Sequence, residues 1–426
     1  MEHWPVGMAI LAFLLFMGVP IAFALTGVGL IGVVSIIGWS GSLSLLGSVF
    51  FDNGRDYTLS VLPLFLLMGN FVVQSGIATE LYTSAYAWLR HRKGGLATAT
   101  VVACGAFSSV CGSSLATAAT MTKIALPSMR RYGYPDQLST ASIAAGGTLG
   151  ILIPPSVILV FYGILTQQDI GRLFLAGLIP GVIGIIGYSI AVRITLKFQG
   201  IDLPTEPKLP LIDRIRALKG TAGALVLFAF VMGGIYLGVF TPTESAGMGA
   251  GGALLLVILK RKFSIEATLS VLFDTMKTTA MMFFILFGAL TFTNYVNMSG
   301  MTTDIQSMIT GLTSSPMAFI LIVFCIYLVL GCVLESLSMI MLTVPVFYPI
   351  AASLGIDLIW FGIFVVMVTE ISYITPPVGM NAFVLRTVAP DVRLSTIFKG
   401  LAPFVAMDVL RVGLLTAAPI LVLVLT

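Results

Sequence analysis

Four short segments of this chain gather the groups that could hold an ion. Cys111-Gly112-Ser113-Ser114 and Glu335-Ser336-Leu337-Ser338 set hydroxyls, and in the second case a carboxylate, at interruptions of apolar runs. Gly150-Ile151-Leu152-Ile153-Pro154-Pro155-Ser156 and Ser372-Tyr373-Ile374-Thr375-Pro376-Pro377-Val378-Gly379 each contain a double proline. Two prolines remove two backbone donors and leave carbonyls unpaired, while the glycines let the backbone turn and approach a bound ion. Hydroxyl and carbonyl oxygens suit sodium, and helix breaks that expose them are where ion-coupled carriers keep their sites. Taken singly, such residues also pack membrane helices or kink them without binding anything. Their recurrence at matched positions, described below, favours ion binding.

Charged side chains add a second set of candidates. Glu335, Glu370 and Lys123 fall within apolar runs, where a charge is costly unless it is paired or lines a wet cavity. Asp408 and Arg411, three residues apart on the last span, pair with each other or with a partner subunit. The only two histidines, His3 and His91, lie near predicted interfaces, which leaves a histidine metal site or an intramembrane serine hydrolase without its base. The chain is therefore not expected to be an enzyme, and no cofactor is expected beyond sodium as a coupling ion. Cys104 and Cys111, like Cys325 and Cys332, are seven apart, a spacing for small packing residues on one helix face rather than for a metal site.

The elements that position these groups must be membrane helices. Of 426 residues, 58% are hydrophobic and 9% charged, too apolar a balance for one water-soluble globule. Continuous apolar runs recur that can cross a hydrocarbon core of about 30 Å, which takes roughly 20 helical residues. Because they do not alternate, they read as helices and not as barrel strands. The net charge of +4 comes from short basic clusters between apolar runs, which are topology signals and not a nucleic-acid surface. The first apolar run starts at Val6 without a basic flank or a cleavage pattern, so a retained span is expected.

Sliding the chain along itself by 222 residues brings landmarks into register. Ser48-Val49-Phe50-Phe51-Asp52 falls on Ser270-Val271-Leu272-Phe273-Asp274, Pro20 on Pro242, Ser114 on Ser336, Pro154-Pro155 on Pro376-Pro377 and Asp169 on Asp391. A shift of 224 sets Asn70, Ser75, Gly76 and Thr79 on Asn294, Ser299, Gly300 and Thr303. The predicted fold is an all-α polytopic membrane protein of two repeats, 1–196 and 220–426, joined by a cytoplasmic linker, 197–219, that carries Pro204, Pro207 and Pro210. In the first repeat spans are expected near 4–18, 20–38 and 59–77, a pair of short segments near 96–128, a span broken near 150–156 and a span near 173–196. An amphipathic stretch, Ser42 to Asp52, lies between the second and third spans. The second repeat places its elements near 221–239, 244–259, 278–298, 316–352, 358–386 and 401–425.

Basic residues give the orientation. Arg90, Arg92 and Lys93 precede the first short pair and Arg130 and Arg131 follow it, so both its ends should be cytoplasmic and the pair a re-entrant hairpin. No Lys or Arg occurs between Lys277 and Arg386, which puts both flanks of the second pair, Ser314 among them, on the periplasmic side. Five crossings per repeat, an odd number, then invert the two halves and leave both termini periplasmic.

At these motifs the chain resembles the large membrane subunit, the DctM component, of the tripartite ATP-independent periplasmic (TRAP) transporters, over essentially its whole length. The resemblance rests on Pro63-Leu64-Phe65 with Met68-Gly69-Asn70, Gly112-Ser113-Ser114 with Ala116-Thr117-Ala118-Ala119, the string Ala145 to Ser156, Thr241-Pro242-Thr243-Glu244 and Thr375-Pro376-Pro377-Val378-Gly379. It implies an elevator-type fold in the bacterial inner membrane, with a transport domain, 96–166 and 316–390, sliding against a scaffold of the remaining spans. It also implies a small four-helix membrane subunit and a periplasmic binding protein as partners, and as substrate an organic anion such as a C4-dicarboxylate or a sialic acid. By position, the family's sodium sites fall on Ser113, Ser114, Gly146, Gly150, Ile153 and Pro154, and on Glu335, Ser336, Ser372, Thr375, Pro376 and Val378. Ser156, Ser338, Tyr373 and Asn381 are the residues expected to meet the substrate. Cys111 stands where the family usually has Ser, Glu335 where Asp is usual and Ser372-Tyr373 where Gly-Leu is common; a bulky Tyr373 would narrow the cavity. Two rival readings are a binding-protein-independent sodium/carboxylate symporter of the same superfamily and a membrane assembly subunit that transports nothing.

Overall fold

The computed structural model describes residues 4–200, 203, 205–312, 315–332 and 334–426; His3, Pro204 and Ser314 lie outside the described residues. All regular structure among the described residues is helical. The first half comprises α1 (Trp4–Phe16), α2 (Ile21–Gly54), α3 (Val61–Ser75), α4 (Ile77–Leu89), α5 (Gly95–Cys111), α6 (Ser114–Arg131), α7 (Asp136–Thr148), α8 (Val157–Thr166) and α9 (Ile170–Phe198). The second comprises α10 (Leu211–Tyr236), α11 (Pro242–Leu259), α12 (Ile265–Met298), α13 (Met301–Leu312), α14 (Pro316–Leu330), α15 (Ser336–Ser353), α16 (Leu358–Ser372), α17 (Met380–Val388), α18 (Leu394–Ala417) and α19 (Ile420–Leu423). Among the described residues eight helices are long and apolar enough to cross a membrane. Large apolar side chains such as Ile31, Phe198, Val226 and Leu259 stand exposed on their outer faces, as lipid-facing positions do.

The 222-residue periodicity holds for elements as well as landmarks. Both ends of α6 and α15 differ by 222, as do the starts of α7 and α16. The expected pairs are helical hairpins, α5–α6 and α14–α15, and the expected broken spans are α7–α8 and α16–α17. Two elements were not anticipated. The short helices α4 and α13 precede the hairpins at matching positions, and their charged residues, Glu80 and Asp304, kept them from reading as spans.

The amphipathic stretches attach differently in the two halves. In α2 the helix bends at Gly38, whose φ of 77° is open to glycine, and continues to Gly54 as an arm. In the second half the arm belongs to the following span, as the start of α12, because the chain breaks earlier and Ser264 caps the new helix by accepting from the Ala267 amide at 3.1 Å. The expected linker is also shorter than its boundaries, since α9 runs to Phe198 and α10 starts at Leu211, directly after Pro210.

Side-chain contacts fix how the broken spans lie. Arg130, at the end of α6, contacts Asp136 at the start of α7 (2.7 Å) and Asp391 just past α17 (2.6 Å). At the other end, the Tyr162 hydroxyl of α8 donates to the Leu358 carbonyl that opens α16, at 2.6 Å. The start of each broken span thus sits beside the end of the other. α2 packs along α12 and α3 along α11, whereas α9 and α18 pack on the broken spans and on each other, and α9 also on α5 of the first hairpin.

Candidate ion and substrate site

Each hairpin turns where its second helix begins, so that helix points its N-terminus, and its unpaired amides, at the turn. In the first, Gly112 closes α5 with φ 65°, its amide donating to the Ser108 carbonyl at 2.9 Å. Ser113 then caps α6, its hydroxyl accepting from the Ala116 amide at 3.3 Å. The tip is pressed on by its neighbours. A Cβ at Gly69 of α3 would meet the Cys111 carbonyl oxygen at 2.9 Å, and one at Gly150 would lie 3.1 Å from Ser108 Oγ and 3.2 Å from the Ser113 backbone. In the second hairpin the Ser336 amide, first of α15, donates to the Tyr373 hydroxyl.

The two tips meet across a cavity of about 310 Å³. Cys111 to Ala116 form one wall and Glu335 to Leu337 another, Ile151 and Val157 come from the first break and Tyr373 from the second. Leu66, Asn70 and Val73 of α3 and Thr278 and Met282 of α12 complete it. Asn70 donates to Thr275 Oγ1 at 2.9 Å, which ties those two helices together beside the cavity. Asn70, Thr278 and Met282 were not among the expected site residues; a lone Asn in the apolar run Val61–Ser75 was the available signal.

Of the expected ion ligands, Ser113, Ser114, Glu335 and Ser336 line this cavity. Glu335 is its one carboxylate, and no basic side chain reaches it among the described residues. The others sit behind the tips. Gly146 is inside α7, where a Cβ would come within 2.8 Å of Cys104 Cβ, so its smallness lets α7 approach α5. Ile153 packs against Gly181 of α9, and Pro154 lies beside Gly177. Ser372 Oγ donates to the Thr369 carbonyl (2.7 Å) and Thr375 Oγ1 to the Ile371 carbonyl (2.6 Å). Pro376 is exposed and Val378 half-buried, whereas Pro154 and Pro155 of the first break are buried. The Pro154–Pro155 and Pro376–Pro377 peptide bonds are both cis.

The residues expected to meet substrate separate in the same way. Tyr373 lines the cavity, and its hydroxyl accepts from the Ser336 amide that opens α15. Ser156 is buried as the cap of α8, donating to the Ile151 carbonyl at 2.5 Å and accepting from the Leu159 amide at 3.3 Å. Ser338 faces a second cavity, of about 430 Å³, between its hairpin and α2 and α12, which Glu335 also borders. Asn381 is fully buried, and its amide nitrogen donates to Ser114 Oγ and to the Ala144 carbonyl, each at 2.9 Å. Lys123 stands exposed on α6. Asp408 and Arg411 do contact each other, at 3.0 Å, and Arg411 also contacts Glu370.

The chemistry follows from this lining. A cavity that holds a carboxylate and no Lys or Arg repels a free anion, while two helix N-termini and several hydroxyls offer it partial positive charge. Its hydroxyl and carboxylate oxygens are of the kind that coordinate a hard cation.

Comparison with known proteins agrees with this architecture. Residues 8–421 match the family described as the tripartite ATP-independent periplasmic transporter, DctM component. The chain is 37% identical over 362 residues to the C4-dicarboxylate TRAP transporter large permease protein DctM of Pseudomonas aeruginosa, covering 84% of each. It is 30% identical to the sialic acid TRAP transporter large permease protein SiaM of Vibrio cholerae, over 95% of this chain and 94% of that one. In fold it is similar to the YdaH transporter of Alcanivorax borkumensis, with a TM-score of 0.63, 16% identity and 91% of each chain covered.

Proposed function

We propose, from the premise that this chain belongs to the DctM-component family of the tripartite ATP-independent periplasmic transporters, that it is the sodium-coupled large permease subunit for an organic anion. The observation that carries the coupling is the cavity between the hairpin tips, which among the described residues offers hydroxyls, helix N-termini and one carboxylate, without a basic side chain. Bound sodium supplies the positive charge that the protein does not, so anion and cation bind together or not at all. A C4-dicarboxylate, a sialic acid or a related carboxylate is the substrate class, in keeping with the names of relatives.

In this reading the chain is a multi-pass inner-membrane protein with both termini periplasmic, and its halves are inverted repeats. The side-by-side, end-to-start arrangement of α7–α8 and α16–α17 supports the inversion. A periplasmic binding protein delivers the anion and a small four-helix subunit completes the membrane complex. Transport proceeds as an elevator, with both hairpins and both broken spans carrying the site past α3 and α12. The packing of α9 and α18 on those elements favours placing them in the moving body, outside the 96–166 and 316–390 boundaries drawn from sequence.

The test is uptake into proteoliposomes containing this chain and its small subunit. Uptake that needs a sodium gradient and the binding protein, and no ATP, is expected. Uptake unchanged without sodium removes the coupling, and uptake without the binding protein favours a self-sufficient symporter.

A further inference from the structure

Away from the cavity, the membrane interior holds a cluster of charges with a problem of numbers. Glu370 of α16 and Asp408 and Arg411 of α18 are buried at 0%, 1% and 4% exposure. Arg411 Nη2 contacts Glu370 Oε2 and lies 3.0 Å from Asp408 Oδ1. Asp408 Oδ2 is 2.6 Å from the Tyr188 hydroxyl of α9, which is 3.0 Å from Thr148 Oγ1, which is 2.8 Å from the Ala145 carbonyl. From all the elements packed around it, the charged or titratable groups that face this cluster among the described residues are these four: Glu370, Asp408, Arg411 and Tyr188.

Two independent counts agree. Two carboxylates against one guanidinium leave one surplus negative charge in the apolar interior, where an unpaired charge is costly. The hydrogens are also one short. Three oxygen–oxygen contacts link Asp408, Tyr188, Thr148 and the Ala145 carbonyl, but only two hydroxyl protons lie in that row. A proton on Asp408 Oδ2 resolves both, since it donates to Tyr188, Tyr188 to Thr148 and Thr148 to the carbonyl, while Arg411 and Glu370 remain as a neutral pair.

We propose that Asp408 is a proton-binding site, occupied at neutral pH, at the middle of a polar chain that ties the two broken spans together. Its ends, Thr148 and Glu370, are 222 residues apart and each stands just ahead of a break. A groove of about 110 Å³, mostly apolar in its lining of Ile183, Met407, Leu410 and Leu414, opens beside Tyr188, Asp408 and Arg411, and Arg411 Nε and Nη1 have no hydrogen-bond partner among the described residues. When the proton leaves, the cluster becomes anionic and the row loses the hydrogen that anchors Thr148.

The test is infrared absorption of the purified full chain in lipid. A protonated-carboxyl band at neutral pH, lost in Asp408→Asn, is expected. The same substitution mimics the neutral acid, since its amide can donate to Tyr188 and accept from Arg411, so thermal stability should be kept. Glu370→Gln leaves Arg411 without a counter-ion and should lower the unfolding temperature clearly. Absence of the band from the wild type, its persistence in Asp408→Asn, or equal destabilisation by both substitutions overturns the proposal. None of these readouts depends on transport.

Discussion

The Asn381 amide donates to Ser114 Oγ at 2.9 Å, across 267 residues of sequence. One residue opens the hairpin helix of the first half and the other sits in the second broken span, so this bond joins the halves directly behind the cavity. The Ser114 hydroxyl in turn contacts Asn381 Oδ1 at 3.0 Å, and the Ala144 carbonyl takes the remaining amide hydrogen.

Asn381→Ala should therefore destabilise the protein by about 1–3 kcal/mol, because it strands buried polar partners in an apolar interior. Thermal unfolding of the purified chain checks this. A lower uptake with an unchanged unfolding temperature would instead make Asn381 a substrate contact.

Tyr373→Phe keeps the ring that walls the cavity and removes only the hydroxyl that accepts from the Ser336 amide. The N-terminus of α15 loses a cap, at a cost of about 0.5–2 kcal/mol. Unfolding temperature should fall while the substrate range, measured by competition for uptake, stays the same.

For the inverted arrangement, single cysteines at two exposed positions give a direct check, after the four native cysteines are replaced. One at Ser315, ahead of α14, should be labelled by an impermeant reagent from the periplasm, and one at Arg131, at the end of α6, from the cytoplasm. Labelling of both from one side contradicts inverted halves.

The hairpins and breaks were legible because their signals are local: a Ser at a turn, a double proline, an apolar run, and a shift of 222 that repeats them. What escaped depends on partners far apart in sequence. Asn381 is expected to meet the substrate, and its tie to Ser114 shows only once the halves are folded together, just as the i, i+3 pair of Asp408 and Arg411 gives no sign of Glu370 joining from α16. Gly146 and Ile153 carry the right motif, but their surroundings show helix packing, which spacing alone does not separate from ion binding.

Ser114 and Ser336 occupy equivalent positions at the two tips, yet the structure gives their hydroxyls different work. Ser114 Oγ is engaged with Asn381, whereas Ser336, only 5% exposed and bordering the cavity, stands beside the Tyr373 hydroxyl that accepts from its amide. A serine hydroxyl has two acceptor lone pairs, so its oxygen can serve a cation in the cavity while it also meets a neighbour. Ser336→Ala should then weaken sodium binding by roughly 1–2 kcal/mol, if a lost ligand resembles a lost hydrogen bond to a charged group. That energy is about a five- to thirty-fold rise in the sodium needed for half-maximal uptake. Thermal stability should change little, since the Ser336 amide keeps its bond to the Tyr373 hydroxyl. Ser114→Ala should show the reverse emphasis, a lower unfolding temperature because Asn381 loses its partner, with any shift in sodium dependence smaller than that of Ser336→Ala. Sodium titrations of uptake, paired with thermal unfolding of each purified variant, separate the two roles. Equal sodium shifts in both variants would make the tips functionally symmetric, and no shift in either would leave the ions to backbone carbonyls.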